Sequence, residues 1–208
     1  MQIAFALYPQ FTALDIVGPF QTLVDLPGVD ACVVADAPGP VIDHTGRLAF
    51  VATRSFSDVT APDVIVVPGG MRLDPTDADP IVGWIRAVHP GTTWTTSVCT
   101  GSLFLAAAGV LEGVDATGHW AAMALLGALG ACPTSARVVE RGKVMTAAGV
   151  SAGIDMGLTL VARMFGDDMA RATQLAIEYD PQPPFDAGAP EKVEPELREL
   201  VRSMLMPL

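Results

Sequence analysis

Thr92-Thr93-Trp94-Thr95-Thr96-Ser97-Val98-Cys99-Thr100-Gly101-Ser102-Leu103 is the stretch that decides the fold. Thr92 to Val98 is β-branched and aromatic, the composition of a strand. Leu103 to Val110 is an apolar run of helical character, and Cys99 stands where the one becomes the other. A strand that turns sharply into a helix with a nucleophilic side chain at the turn is a nucleophile elbow. Such a turn presents its residue at the carboxyl end of a sheet, where open α/β folds bind ligands. It also sets the sulfur beside free N–H groups at a helix N-terminus, which favour the thiolate, though the sequence leaves the resting form of Cys99 open. The same position suits a buried structural cysteine equally well.

Outward from this stretch, strand and helix patterns alternate. Gln2 to Tyr8, Asp30 to Ala35 and Asp63 to Val67 read as strands, the last a continuous apolar run of the kind buried on both faces of a parallel sheet. Thr12 is placed to cap a helix over Ala13 to Leu26, with Pro19 predicting a kink or a late start. Val41 to Thr53 reads as a hairpin bending at His44-Thr45-Gly46. Helices are expected over Asp74 to Val88, Trp120 to Leu129, Ser151 to Phe165 (capped by Ser151) and Asp167 to Glu178. Gly113 to His119 reads as a short strand, and Arg137 to Glu140 and Lys143 to Ala147 as two strands about Arg141-Gly142. Asp180 to Pro190 is irregular, and Glu191 to Met206 is an amphipathic helix. The alternation predicts an α/β fold, a mostly parallel sheet sandwiched between helices, with residues 1–208 forming one domain.

The formal net charge of -11 disfavours nucleic acid as a partner. No apolar run approaches the roughly 20 residues of a membrane helix, and the start lacks signal-peptide character, so a cytoplasmic protein is expected. Three cysteines, Cys32, Cys99 and Cys132, are too few for a disulfide framework. No two of the histidines His44, His89 and His119 lie at metal-ligand spacing, so no metal site is expected.

Three groups are candidates to join Cys99. Asp15 falls past the carboxyl end of the first strand and so faces the same crevice. Beside a thiolate its carboxyl is expected to titrate high and to act as acid and base in turn. As a first-turn residue it also complements a helix dipole. Gly69 and Gly70 follow the buried strand, and their N–H groups, with that of Thr100, are placed to form an oxyanion hole. His119, twenty residues after Cys99, is the third candidate; a satisfied core histidine is the alternative. Asp36 and Asp43 read as solvated, and His44 and His89 as structurally neutral.

With these residues in view, the chain resembles the ThiJ/PfpI superfamily, whose flavodoxin-like fold is related to class I glutamine amidotransferases. More narrowly it is similar to the isocyanide hydratase branch. The resemblance rests on Leu14-Asp15-Ile16-Val17-Gly18-Pro19, Val67-Pro68-Gly69-Gly70, Thr96 to Ser102, Ala116-Thr117-Gly118-His119-Trp120, Gly149 to Asp155, and Glu178-Tyr179-Asp180-Pro181 through Asp186. It implies Cys99 as nucleophile, Asp15 as acid and base, and Thr100 where protease-like members carry histidine. It places the Val150 carbonyl near the sulfur, and it implies a homodimer with no cofactor. Gly118 departs from a threonine common in this motif, and Ala148 from a glycine-rich run.

The implied reaction adds water to an isocyanide through a covalent thioimidate and releases an N-substituted formamide. A nearly apolar substrate calls for an apolar pocket. Two other classes fit the same cysteine: a glyoxalase-like dicarbonyl hydratase or amidase, and a non-enzymatic redox sensor built on a low-pKa thiol. A related domain occurs in AraC-type regulators, but this acidic chain is expected to lack their DNA-binding region.

Overall fold

Apolar runs with no polar interruption have no face to offer water, so they pair with one another in the middle of the molecule. In the computed structural model, which describes residues 1–205, Ile3 to Ala6 of β1 (Gln2–Ala6) and all of β6 (Val64–Val67) are buried. In chain order the elements are β1, α1 (Ala13–Leu23), β2 (Asp30–Ala35), β3 (Gly39–Ile42), β4 (Ala49–Ala52), β5 (Arg54–Ser55), β6, α2 (Pro80–Val88) and β7 (Trp94–Val98). There follow α3 (Gly101–Ala107), β8 (Asp115–Ala116), α4 (Met123–Ala128), β9 (Cys132–Pro133), β10 (Val138–Arg141) and β11 (Val144–Ala147). Helices α5 (Ala152–Phe165), α6 (Asp167–Ala176) and α7 (Pro195–Leu205) end the described chain. Met206, the last residue of the helix expected from the sequence, lies outside the described residues.

The main sheet has the order β10-β11-β7-β6-β1-β2-β5. It is parallel except where β10 runs antiparallel to β11. β1 pairs with β2 on one side and with β6 on the other. The winding direction therefore reverses between β1 and β6, and the crevice beyond their carboxyl ends is the place where such sheets receive ligands. β3 and β4 form the expected hairpin as a separate two-stranded sheet.

Several expected elements differ at their ends. Helix α2 begins at Pro80 rather than Asp74, because the Asp79 carboxylate is committed to the Thr76 amide at 2.7 Å and to Arg72, and Pro80 suits a first helical position. Helix α1 starts at Ala13 and runs past Pro19. Thr12 and Ser151 occupy N-cap positions without capping bonds; Ser151 instead accepts from Arg137. The expected helix from Trp120 opens as a 3-10 turn before α4. Asp43 is buried rather than solvated: its carboxylate accepts from Thr45 Oγ1 at 2.9 Å and from the Leu48 amide at 3.2 Å, and so organises the hairpin bend. No described helix is long and apolar enough to cross a membrane.

Helix α1, which carries Asp15, lies against α5 through small residues. A Cβ on Gly157 would meet Thr22 Oγ1 at 2.0 Å, and one on Gly153 would meet the Pro19 ring at 3.1 Å. The Gly157→Ala substitution is therefore expected to cost about 1–3 kcal/mol, the usual range for overpacking. Adding Thr22→Ala, which removes the colliding hydroxyl, should recover part of the loss. Urea denaturation of the two single variants and the double variant measures both effects.

Candidate active site

The carboxyl ends of β1, β6, β7 and β11, neighbours in the sheet, bring four segments together. They are the Tyr8-to-Asp15 corner, the Pro68-Gly69-Gly70 turn, the turn at Cys99 and the turn at Val150. Cys99 follows β7 directly with φ 60°, and Val150 has φ 42°. Left-handed backbone is costly in non-glycine residues, above all in a β-branched one. Of the four non-glycine residues with positive φ among those described, Gln10, Cys99 and Val150 belong to these segments. Backbone strain is thus concentrated here, where the packing holds it.

The turns approach so closely that side chains are excluded. A Cβ on Gly69 would stand 2.5 Å from the Thr100 amide nitrogen and 2.8 Å from Asp15 Oδ2. A Cβ on Gly101 would stand 2.3 Å from the Val67 carbonyl. These glycines are needed to bring Asp15, Thr100 and the Gly-Gly turn into contact.

Asp15 is fully buried. Its Oδ2 accepts from the Gly69 amide at 2.8 Å. Its Oδ1 is one of two buried side-chain polar atoms, with Ser97 Oγ, that lack a hydrogen-bond partner among the described residues. Loss of water raises the carboxyl to about 7, against the opposing pull of the Gly69 amide and the Cys99 thiol. Burial, and not repulsion from the neighbouring sulfur, is thus the reason that Asp15 titrates high.

Cys99 is buried as well. Desolvation first and the Asp15 carboxylate second push its thiol well above the ordinary range, while the Val150 and Thr100 amides favour the thiolate. While Asp15 is ionised, the exclusion of water and the adjacent anion therefore outweigh the pull of the helix terminus toward the thiolate. The Val150 group that acts on the sulfur is its amide; a carbonyl could not stabilise the negative charge.

The expected oxyanion hole of Gly69 and Gly70 is not available. The Gly69 amide is bound to Asp15, and the Gly70 amide donates to Thr100 Oγ1 at 2.8 Å. Thr100 Oγ1 donates back to the Gly70 carbonyl at 2.9 Å, so its side chain clamps the turn. The amides that do face the sulfur are those of Thr100 and Val150.

His119 stands apart from this pair. Its Nδ1 accepts from the Ala121 amide, and burial lowers its pKa and keeps the ring neutral. It is not among the groups acting on Cys99. Instead it lines a cleft of about 990 Å³ with Trp120, Arg137, Val150, Phe185 and Arg202. That cleft mixes aromatic and charged groups, and neither Cys99 nor Asp15 lines it. Gly118, also in its wall, packs so closely that a Cβ there would meet Ser102 Oγ at 2.4 Å and the Cys99 carbonyl at 2.9 Å.

Two residues of the site were not singled out from the sequence. Tyr8 is buried and donates to the Pro68 carbonyl. Arg72 lies 6.0 Å from the centre of the Phe104 ring. A polar-tipped aromatic directly after an apolar strand is the signal that marks Tyr8 in the sequence.

Residues 1–163 match the model of the DJ-1/PfpI family. The chain belongs to that family. It is 45% identical over 192 residues to an isonitrile hydratase of Pseudomonas putida, covering 92% of this chain and 84% of that protein. It is 27% identical over 161 residues to the DJ-1 homolog A of Arabidopsis thaliana, covering 75% of this chain and 41% of that one. The crystal structure of a ThiJ/PfpI family protein from Pseudomonas syringae superposes with a TM-score of 0.91 at 37% identity, over 98% of this chain and 85% of that one. The mostly parallel sheet flanked by helices is the fold of that structure.

The Asp15 carboxyl titrates near 7 when folded and near 3.8 when unfolded. Between these values the unfolded chain binds fewer protons, so stability falls as pH rises from about 4 through 7. Over the whole window the loss is on the order of 4 kcal/mol. Asp15→Asn should abolish this slope, so urea denaturation at several pH values should show the variant gaining on the parent as pH rises.

Proposed function

We propose that this protein is an isocyanide (isonitrile) hydratase, adding water to R–N≡C to give an N-substituted formamide. The observation that carries the proposal is the buried carboxyl of Asp15, one oxygen fixed by Gly69 and the other unpartnered among the described residues, acting on the Cys99 thiol. The likeness to the hydratase of Pseudomonas putida over most of both chains supports it. Both ionisations are pushed upward by burial, so the pair keeps a proton near neutral pH and can pass it between sulfur and carboxyl.

The reaction follows from one proton shared by two groups. Cys99 attacks the terminal isocyanide carbon as thiolate while Asp15 delivers its proton to that carbon, forming the thioimidate R–N=CH–S. The ionised Asp15 takes a proton from water as the oxygen adds to the same carbon, and passes a proton to the nitrogen. The tetrahedral carbon now bears NHR, OH and S. Collapse returns the hydroxyl proton to Asp15, forms the formamide carbonyl and releases the thiolate. The amides of Val150 and Thr100 stabilise that leaving sulfur. The strand–turn–helix at Cys99 then works as a nucleophile elbow. The substituent R extends toward the cleft beside Val150 and Trp120.

A redox sensor needs a reactive thiol alone. The buried carboxyl of Asp15 beside Cys99 supplies the acid and base that the hydratase requires and a sensor does not.

Formamide formation from an aromatic isocyanide, followed in the intact protein, Cys99→Ala and Asp15→Asn, tests the proposal. Turnover is expected in the parent alone, with loss of about 100- to 10,000-fold or more on removing the acid/base group. Turnover in Cys99→Ala equal to the parent would sink the mechanism, and a reduced parent with no turnover would sink the function.

A further inference from the structure

Tyr8 and Asp15 grip opposite ends of one peptide group. The Tyr8 hydroxyl donates to the Pro68 carbonyl at 3.1 Å, and the Gly69 amide of the same peptide unit donates to Asp15 Oδ2 at 2.8 Å. Both bonds are buried, and both partners of the peptide lie in the core of the site. The Tyr8 ring is held in place by Phe104, with ring centres 4.5 Å apart.

We propose that Tyr8 is the positioning residue of the Asp15 carboxyl, acting through the Pro68–Gly69 peptide to orient the Gly69 amide and to strengthen its hydrogen bond. The physical basis is cooperativity: a bond accepted at the carbonyl polarises the peptide and makes its N–H a stronger donor, most of all where water is absent. The Asp15 anion is then stabilised by a donor whose strength Tyr8 sets. The inference deepens the hydratase reading and rests on its assignment of Asp15 as acid and base.

The groups around the carboxyl are few. Cys99 faces it from the turn after β7 and Tyr8 from the end of β1. Arg72, beyond the Gly-Gly turn, acts on Tyr8 and is paired with Asp79. On α5, packed against α1, Asp155 is bound to Arg137 and Tyr179, and Arg163 to Glu140, so neither is directed at Asp15. Tyr8 itself is held protonated by its burial and by Asp15 and Cys99, so it stays a donor wherever the pair titrates.

The test is the pH dependence of Cys99 alkylation by iodoacetamide, which reads the titration of the pair without any isocyanide. Tyr8→Phe keeps the ring on Phe104 and removes the donor. The midpoint is expected to rise by about half a unit, the order set by one bond in a cooperative chain. A second experiment moves it the other way. The sequence has two tyrosines, Tyr8 and Tyr179. In a Tyr179→Phe background, 3-fluorotyrosine labels Tyr8 alone; its hydroxyl is the stronger donor, and the midpoint should fall relative to the unlabelled background. A purely structural role would change the melting temperature and leave both midpoints in place, which would overturn the proposal. Shifted midpoints in a protein that forms no formamide would support the Tyr8 relay and overturn the hydratase reading, so the two fail separately.

Discussion

A carboxyl group with no water around it is the constraint on which this site depends. Asp15 lies at the reversal point of the sheet, where α1 leaves β1 and the Gly69 turn leaves β6. Burial of a carboxylate is unfavourable unless its oxygens are bonded, and among the described residues only one of them has a hydrogen-bond donor at bonding distance. The chain therefore carries a destabilised group at its centre, and the helix packing of α1 on α5 keeps it there. Stability is lost at this point in return for a proton that can move near neutral pH.

The second constraint is closeness. Thr100 and Gly101 are pressed against Val67, Pro68 and Gly69, and Gly70 against Gln10 and Phe11, until main-chain atoms leave no space for a Cβ. Thr100 gives both its hydroxyl roles to Gly70, and the Gly69 amide goes to Asp15. The turn that looked like an anion cradle is in effect a bracket for the carboxyl. The charge on the sulfur is met instead by Val150 and Thr100 amides, brought into place by backbone that two non-glycine residues adopt under strain. His119 and Arg137 belong to the cleft beyond, whose outer wall includes Phe185 and Arg202 from the C-terminal segment. That segment lies after the part of the chain that the family model matches.

The order of elements, the buried parallel strands and the strand-to-helix turn at Cys99 were legible in the sequence, because each is local. Apolar runs such as Val64 to Val67, hairpin chemistry and helix periodicity are set by neighbours in the chain. Helix ends were less legible where a side chain had two possible uses: Asp79 bonds Arg72 and Thr76 instead of opening a helix early, and Ser151 serves Arg137 instead of capping α5. Asp43 looked solvated for the same reason. Its amide partners at Arg47 and Leu48 surround it only after the hairpin has closed.

The sequence by itself determined which residues stand at the carboxyl ends of strands, and therefore that Asp15, Gly69 and Cys99 face one crevice; Val150 was placed beside them by the family resemblance. Only the tertiary structure decided what each does there. Protonation depends on how much water is removed, and that is a property of the packed core; burial pushes the Cys99 thiol up against the pull of the helix terminus and raises Asp15 against the pull of its hydrogen-bond partners. Hydrogen-bond allegiance depends on distances across four segments far apart in the chain, which is why the Gly-Gly amides proved to be occupied and Tyr8 proved to belong to the site.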